Sequence, residues 1–154
     1  DIYTGKTAGV FTFNTAGGDI TANSLEGDYR VQTSAGDISL MKIIGSVEAK
    51  TSAGEITAEF IANKGDSRLM TTYGDISVYV SPKAKLSVQA QVTITGWWNE
   101  EDDYSDYLYS EFTSSSLKRD DKRKKIYGEY KINGGGPNVN VVVNTGSIFI
   151  KKSK

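Results

Sequence analysis

Apolar and polar residues alternate with a period of two along most of the chain, which is the pattern of β-strands with one buried face. The alternation is organised into repeats, each opened by a glycine, an acidic residue and an isoleucine. These openings begin at Gly18, Gly36, Gly54 and Gly74, at spacings of 18, 18 and 20 residues. Because helical spacing of apolar residues is absent, the pattern predicts an all-β protein built from repeats.

Each repeat contains two predicted strands. After the glycine-acid pair, the positions predicted to face inward are Ile20 and Ala22, Ile38 and Leu40, Ile56, Ala58 and Phe60, and Ile76, Val78 and Val80. The second strand follows a second glycine series, Gly9, Gly27, Gly45 and Gly65, and its inward positions are Phe11 and Phe13, Tyr29 and Val31, Val47 and Ala49, and Ser67 and Leu69. The residues between them, such as Thr57 and Arg30, are predicted to face solvent.

The repeat returns at the end of the chain. In the segment VNVVVNTGSIFI, Gly146, Ser147 and Ile148 match the glycine, acidic residue and isoleucine of the earlier repeats. The segment KLSVQAQVTI alternates Leu86, Val88, Ala90 and Val92 and predicts a strand without the glycine signature. We therefore predict a single β-repeat domain over residues 1–154, with an irregular insertion at about 96–136.

Two all-β architectures accommodate paired strands at a fixed period, a β-sandwich made of hairpins and a β-solenoid. In a solenoid, equivalent residues of successive repeats stack, so isoleucine packs on isoleucine inside and hydroxyls align outside. Such columns of like residues favour a β-solenoid, similar to a parallel β-helix, with about 18–20 residues per repeat. The β-sandwich is kept as the alternative.

The repeated glycine and acidic residue have a structural and a functional interpretation. Tight corners require positive φ, which glycine adopts without a steric clash, and an adjacent aspartate can accept a hydrogen bond from the turn backbone. Alternatively, Asp19, Asp37, Glu55 and Asp75 form a calcium-binding column. The sequence lacks the dense glycine-aspartate nonapeptide of calcium-binding β-rolls, so the structural interpretation is favoured and no cofactor or metal is predicted.

Composition excludes several kinds of chemistry. The chain has no Cys and no His, which removes thiolate nucleophiles, Cys/His zinc sites and His-based triads. Its formal net charge is -1, from 18 basic and 19 acidic residues, so no overall field attracts nucleic acid or an anionic membrane. No run approaches the roughly 20 apolar residues of a membrane span. We expect no nucleic-acid partner, and membrane attachment only through an anchor outside this chain.

The insertion concentrates aromatic and charged residues. Its first half contains the candidate ligand-binding residues Trp97, Trp98, Asp102, Tyr104, Asp106, Tyr107 and Tyr109, and its second half carries the basic segment SSSLKRDDKRKK. Aromatic rings with carboxylates suit sugar binding, a carboxylate pair suits glycoside hydrolysis, and the basic segment suits phosphates. The simpler interpretation is that the aromatics cap an exposed end of the repeat stack and the charges solvate that cap.

The T-x-x-G-D-I segments beginning at Thr33 and Thr71, the related segment at Thr51 and the ending GGGPNVNVVVNTGSIFI resemble the bacterial putative-adhesin family, a domain of unknown function with β-strand repeats. The resemblance implies a β-helix-like fold, exported or tethered at the bacterial surface, and it assigns no catalytic residues. We therefore predict a noncatalytic, extracytoplasmic module of the cell envelope or surface, or a secreted one, whose partner is a cell-surface glycan or protein. The alternative is a carbohydrate-binding or carbohydrate-active domain that uses the insertion.

Overall fold

The computed structural model describes residues 1–95 and 104–153 and confirms the all-β prediction. The described strands form one curled sheet. They are β1 (Ile2–Thr4), β2 (Thr7–Gly17), β3 (Ile20–Ala35), β4 (Ile38–Ala53), β5 (Ile56–Asn63), β6 (Ser67–Tyr73), β7 (Ile76–Val80), β8 (Leu86–Thr93), β9 (Leu108–Ser110), β10 (Ser116–Asp120), β11 (Lys125–Ile132), β12 (Asn138–Thr145) and β13 (Ile148–Lys152). A short 3₁₀ turn at Tyr104–Asp106 precedes β9.

Equivalent residues of successive repeats are neighbours in parallel register, so the repeats stack. The isoleucines that open the repeats pair as Ile20 with Ile38, Ile38 with Ile56, and Ile56 with Ile76. The sheet therefore has two rows of segments. Row A contains β1, residues 20–22, residues 38–40, residues 56–60 of β5, β7, β13 and β9; row B contains β2, residues 25–35, residues 43–53, the end of β5 at residues 62–63, β6, β12, β8, β11 and β10.

Parallel stacking is what the repeat pattern predicts, and it differs from the hairpins of a β-sandwich. Antiparallel pairing among the described strands is confined to one end of row B, where β8, β11 and β10 are neighbours. The predicted inward positions of the repeats are buried, with Ile20, Ile56 and Ile76 each fully inaccessible to solvent, except that Phe11 and Phe13 of β2 are half-exposed. Alternation in the sequence thus identified the inner face correctly.

The fourth repeat departs from the 18-residue period, and the prediction for Gly65 is wrong. Gly45 of β4 lies opposite Asn63, whereas Glu48 lies opposite Arg68, so the extra two residues fall between β5 and β6. As a result Gly65 is beside the Ser46 side chain and does not continue the stack of Gly9, Gly27 and Gly45. These two extra residues move Gly65 away from the corner, where Gly9, Gly27 and Gly45 each adopt a positive φ.

The last repeat of the chain lies inside the stack. Strand β12 pairs with β6 on one side and β8 on the other, and β13 lies between β7 and β9. Val139 is opposite both Ser67 and Val88, and Ile148 is opposite Ile76. The C-terminal strands therefore lie between strands that precede them in the chain, and they do not form an end of the stack.

The end of row B beyond β8 is closed by the described part of the insertion. Strand β11 buries Ile126, Tyr130 and Ile132 on the core side, as their alternation predicts. Gly128 is also on this side, where an added Cβ would meet Leu108 and the Tyr130 ring. A glycine is needed here because the cap packs Leu108 into the space that a side chain would occupy.

Candidate functional site

The corner that opens each of the first four repeats holds Thr-x-x-Gly-acid, and the structure assigns a structural task to each residue type. Gly54 has φ of +146°, a conformation that side-chain-bearing residues rarely adopt. A Cβ at this position would also overlap the carbonyl oxygen of Gly36 in the preceding repeat. The glycine column is therefore required by backbone conformation and by the close stacking of one repeat on the next.

The buried threonines bind the same corner. Thr51 Oγ1 donates to the carbonyl oxygen of Gly36 at 3.1 Å, and Thr33 and Thr71 make the equivalent bonds to Gly18 and Gly54. Each of the three is at most 1 % exposed. Val143 occupies this column in the last repeat, opposite Thr71. The sequence identified the threonines as part of a motif but not as donors between repeats.

Thr51→Val is expected to lower the free energy of unfolding by about 1 kcal/mol, because it removes a buried hydroxyl donor while preserving shape. Val143 shows that this column accepts valine sterically. The matched control is Thr21→Val, at a half-buried position on the outer face, which should change stability much less. Urea denaturation followed by circular dichroism measures both; equal stability losses would contradict the proposed role of the buried hydroxyl.

The acidic residues of the corners also hold repeats together, whereas the sequence predicted that they accept hydrogen bonds from the backbone of their own turn. Asp19 Oδ1 accepts the backbone N–H of Asp37 at 2.9 Å, and Asp37 Oδ1 accepts that of Glu55 at 2.7 Å. Asp75 accepts from Ser147 in the same way at 2.8 Å. The carboxylates thus bond the next repeat rather than their own turn. Within the described residues, no group of three or more acidic side chains is placed to share a metal ion.

The candidate ligand-binding residues of the insertion are only partly within the described structure. Trp97, Trp98 and Asp102 lie outside the described residues, and Tyr104 belongs to the 3₁₀ turn. Asp106 is exposed, and its carbonyl oxygen accepts a hydrogen bond from Ser147 Oγ at 2.9 Å.

Tyr107 and Tyr109 flank the buried residue Leu108 at the end of row A. The Tyr107 ring packs partly buried against the core, and its carbonyl oxygen accepts from the Ile148 N–H. Tyr109 is 42 % exposed. The structure therefore gives Tyr107 a packing role and leaves Tyr109 on the surface.

Tyr109 belongs to a shallow depression that the sequence did not indicate. Its ring is 6.5 Å from that of Phe149, centroid to centroid, and the Lys151 ammonium lies 5.3 Å from the Phe149 ring. Ser105 and Glu111 complete the lining. Phe149 and Lys151 come from β13, 40 residues away along the chain from β9. This aromatic depression is the described surface closest to the sugar-binding chemistry predicted for the insertion.

The basic segment of the insertion is interleaved with acids in space as well as in sequence. Arg119 Nε donates to Asp121 Oδ1 at 2.6 Å, and Arg123 lies 3.8 Å from Asp120. These contacts oppose the positive charge that a phosphate site would use. The described geometry therefore does not favour the phosphate hypothesis.

Sequence reasoning missed a second surface, on the outside of row B. We define the outer polar face by the side chains of Arg68 on β6, Asn140 on β12, Gln89 and Gln91 on β8, and Tyr127 and Glu129 on β11, which line one depression. In cross-strand register, Arg68 is opposite Asn140, Asn140 is opposite Gln89, and Gln89 is opposite Glu129. With strands about 4.8 Å apart, these four strands span about 14 Å.

A partial signal for the outer polar face exists in the sequence. Gln89 and Gln91 alternate with buried residues of β8, and Tyr127 and Glu129 do so on β11, so each pair is recognisable as outward-facing. Their assembly is not recognisable, because it depends on β12 entering between β6 and β8.

Burial raises the pKa of the phenol of Tyr130, a residue of β11 whose side chain is buried in the core. The folded protein consequently favours the neutral phenol, and this contribution is lost as the pH rises above the ordinary tyrosine pKa of about 10. Tyr130 is thus a core residue and not a surface ligand.

Among the described residues, no helix is long and apolar enough to cross a membrane.

The fold and its surfaces define a β-repeat domain with a polar outer face. The family model described as Toastrack DUF4097 matches residues 3–133, and the chain belongs to this family. No curated protein matches.

A solved structure described as a putative cell adhesion protein from Clostridium sporogenes is similar at 12% sequence identity, with a TM-score of 0.42. The match covers 82% of this chain and 56% of that chain, so this chain spans little more than half of the other's length.

Proposed function

We propose that this domain is a noncatalytic module of the bacterial cell envelope or surface, built as a short β-solenoid, and that its outer polar face binds a cell-surface glycan or protein. The outer polar face carries this proposal. It arranges amide, guanidinium, carboxylate and phenol groups along one depression on the outside of row B, as required to bind a ligand by many separate hydrogen bonds.

The chemistry of this face fits an extended polar ligand. Gln89, Gln91 and Asn140 each offer a donor and an acceptor, so they can bind neighbouring hydroxyls of a sugar or the backbone of a peptide. Tyr127 is half-buried and adds apolar ring surface beside them. A width of about 14 Å accommodates several residues of a polymer rather than one small substrate.

The described corner carboxylates support a noncatalytic role. Asp19, Asp37 and Asp75 each accept a backbone N–H from the next repeat, so these repeated acids serve the scaffold. The location at the envelope or surface rests on the resemblance to a bacterial adhesin-like family and accords with a chain that has no cysteine to oxidise outside the cytoplasm.

Binding to a glycan array and pulldown with isolated bacterial cell walls test the proposal. We expect the double variant Gln91→Ala, Asn140→Ala to lose binding by about tenfold or more, since it removes two groups that each offer a donor and an acceptor. The matched control is Asn14→Ala, Gln32→Ala, which removes the same two amide types from outward positions of β2 and β3. Equal binding by the wild type and both variants would contradict the proposed face.

The aromatic depression supports a second candidate, a carbohydrate-binding or carbohydrate-active domain that uses the insertion. Exposed Tyr109 beside Phe149 presents ring surface of the kind that packs on a pyranose, with Glu111 at the margin. In the same glycan assays, Trp97→Ala, Trp98→Ala and Tyr109→Ala distinguish the two sites. Loss of binding in these variants alone would move the ligand to the insertion, and glycan hydrolysis lost on neutralising Asp102 and Asp106 would overturn the noncatalytic assignment.

A further inference from the structure

Charged side chains are segregated between the two corners at which the chain passes between row A and row B. The corner from row B to row A carries the repeated acids Asp19, Asp37, Glu55 and Asp75. No lysine or arginine occurs in the five segments that form this corner, residues 15–21, 33–39, 51–57, 71–77 and 144–149. The small net charge of the chain therefore conceals an acidic edge.

The opposite corner, where the chain passes from row A to row B, is basic. We define the lysine corner by five exposed lysines that lie in or beside its connections, Lys42, Lys64, Lys83, Lys85 and Lys131. These connections are residues 41–42, 64–66 and 81–85, together with residues 133–137, which join β11 to β12 at the same edge. They contain no arginine, and Asp66 is their only acidic residue.

The ammonium groups of the lysine corner are not neutralised by ion pairs in the described part of the chain. No carboxylate of the described residues lies within ion-pair distance of any of the five lysines. Asp66 is bound to the backbone instead, because its Oδ1 accepts the N–H of Asn138 at 3.0 Å. The corner therefore presents a local positive charge to a ligand in solution.

The lysines of this corner follow the stack from strand to strand. Lys42 lies in β4, Lys64 precedes β6, and Lys131 lies in β11. Strands β6, β12 and β8 lie between β4 and β11 in the sheet, so the corner spans four strand intervals, or about 19 Å. A line of positive charges of this length can contact several successive anionic groups of one extended polymer.

Lys42 has a backbone conformation that does not favour lysine. Its φ is +54°, in the left-handed region, where glycine and asparagine are the usual residues. Ser24, one repeat earlier, has φ of +59°, so this conformation belongs to the corner and not to the lysine. The charge of Lys42 is therefore placed at the corner at a cost in backbone energy.

We propose that the lysine corner binds a linear polymer of the cell envelope that carries a phosphate in each repeating unit. This proposal rests on the envelope location proposed above, and it uses residues outside the outer polar face. Lysine suits such a ligand because its ammonium group binds phosphate as a point charge, whereas the planar fork of arginine also matches carboxylates. The acidic corner at the opposite edge repels the same polymer and restricts it to the lysine corner.

Binding of long-chain inorganic polyphosphate, measured by isothermal titration calorimetry over a series of salt concentrations, tests the proposal. We expect the triple variant Lys42→Asn, Lys64→Gln, Lys85→Gln to bind at least about tenfold more weakly than the wild type. The slope of log affinity against log salt should fall by about 2, because three phosphate contacts are lost. Thermal unfolding should show no loss of stability, since asparagine suits the backbone conformation at position 42.

The matched control is Lys50→Gln, Lys118→Gln, Lys122→Gln, which removes the same charge from exposed lysines outside the corner and should bind polyphosphate like the wild type. Gln91→Ala, Asn140→Ala should also keep polyphosphate binding, whereas the corner variant should keep binding to uncharged glycans. The lysine corner and the outer polar face can therefore fail separately.

Three results would overturn the proposal. One is a wild-type chain that does not bind polyphosphate, and another is an equal loss of binding in the corner and control variants. The third is tighter binding of the wild type to phosphatidylglycerol vesicles or to single-stranded DNA than to polyphosphate, since the corner would then serve a membrane surface or a nucleic acid.

Discussion

Ile56→Asp is expected to abolish cooperative folding of the domain. Ile56 is fully buried between Ile38 and Ile76 in the column that opens the repeats. The substitution removes about 1.5–3 kcal/mol of apolar burial and places a carboxylate in a core without a partner, at a cost of several kcal/mol more. Together these losses approach the 5–15 kcal/mol that stabilises a typical domain.

Two control variants distinguish the effect of burying a charge from the effect of adding a charge to the outer face and from the effect of altering the apolar side chain. Thr57→Asp introduces the same charge one residue later, on the outer half-exposed face, and should remain folded. Ile56→Val keeps the site apolar and should cost about 0.5–1.5 kcal/mol. Far-ultraviolet circular dichroism during thermal unfolding measures all three, and a melting temperature of Ile56→Asp close to that of the wild type would refute the inward assignment of the column.

Gly54→Ala is expected to lower the free energy of unfolding by at least about 3 kcal/mol, an unusually large effect for one methyl group. The positive φ of +146° contributes about 1–3 kcal/mol of strain when glycine is replaced. The added Cβ would overlap backbone atoms of Gly36, so the neighbouring repeat must move away. Such a shift also disturbs the Thr51 and Asp37 hydrogen bonds at the same corner.

Two other glycines provide controls of graded severity. Gly134 has φ of +93° but open space around an added Cβ, so Gly134→Ala should show the conformational cost alone, about 1–2 kcal/mol. Gly5 has open space without the positive φ, and Gly5→Ala should lie within about 0.5 kcal/mol of the wild type. Urea denaturation should rank the three losses as Gly54, Gly134 and Gly5; comparable losses at Gly54 and Gly134 would show that stacking clearance is unimportant.

These predictions follow from the way the repeat motif acts between repeats. The threonine donates to the glycine carbonyl of the repeat before, and the aspartate accepts an N–H from the repeat after. The hydrogen-bonding groups of one corner are therefore paired by groups of the neighbouring repeats. The stability of the domain depends on contacts between repeats, as in other stacked repeat proteins.

The amino-acid sequence by itself determined which face of each repeat is buried. Alternation with period two assigns Ile38 and Leu40 inward and Ser39 outward, and the side chains follow this assignment. The corner glycines were likewise identifiable from their spacing. Positions that require a positive φ are occupied by glycine, so the glycines recur along the sequence at the interval of the repeat. Such features are local, so the chain near each residue is sufficient to predict them.

Only the tertiary structure decided which repeats are neighbours and therefore which side chains share a surface. Two extra residues displace Gly65 from its column, although its spacing from the next corner matches the other repeats. The outer polar face exists because β12 enters between β6 and β8 and brings Asn140 between Arg68 and Gln89. Strand order depends on backbone pairing between distant segments, and period-two alternation carries no information about which partner a strand selects.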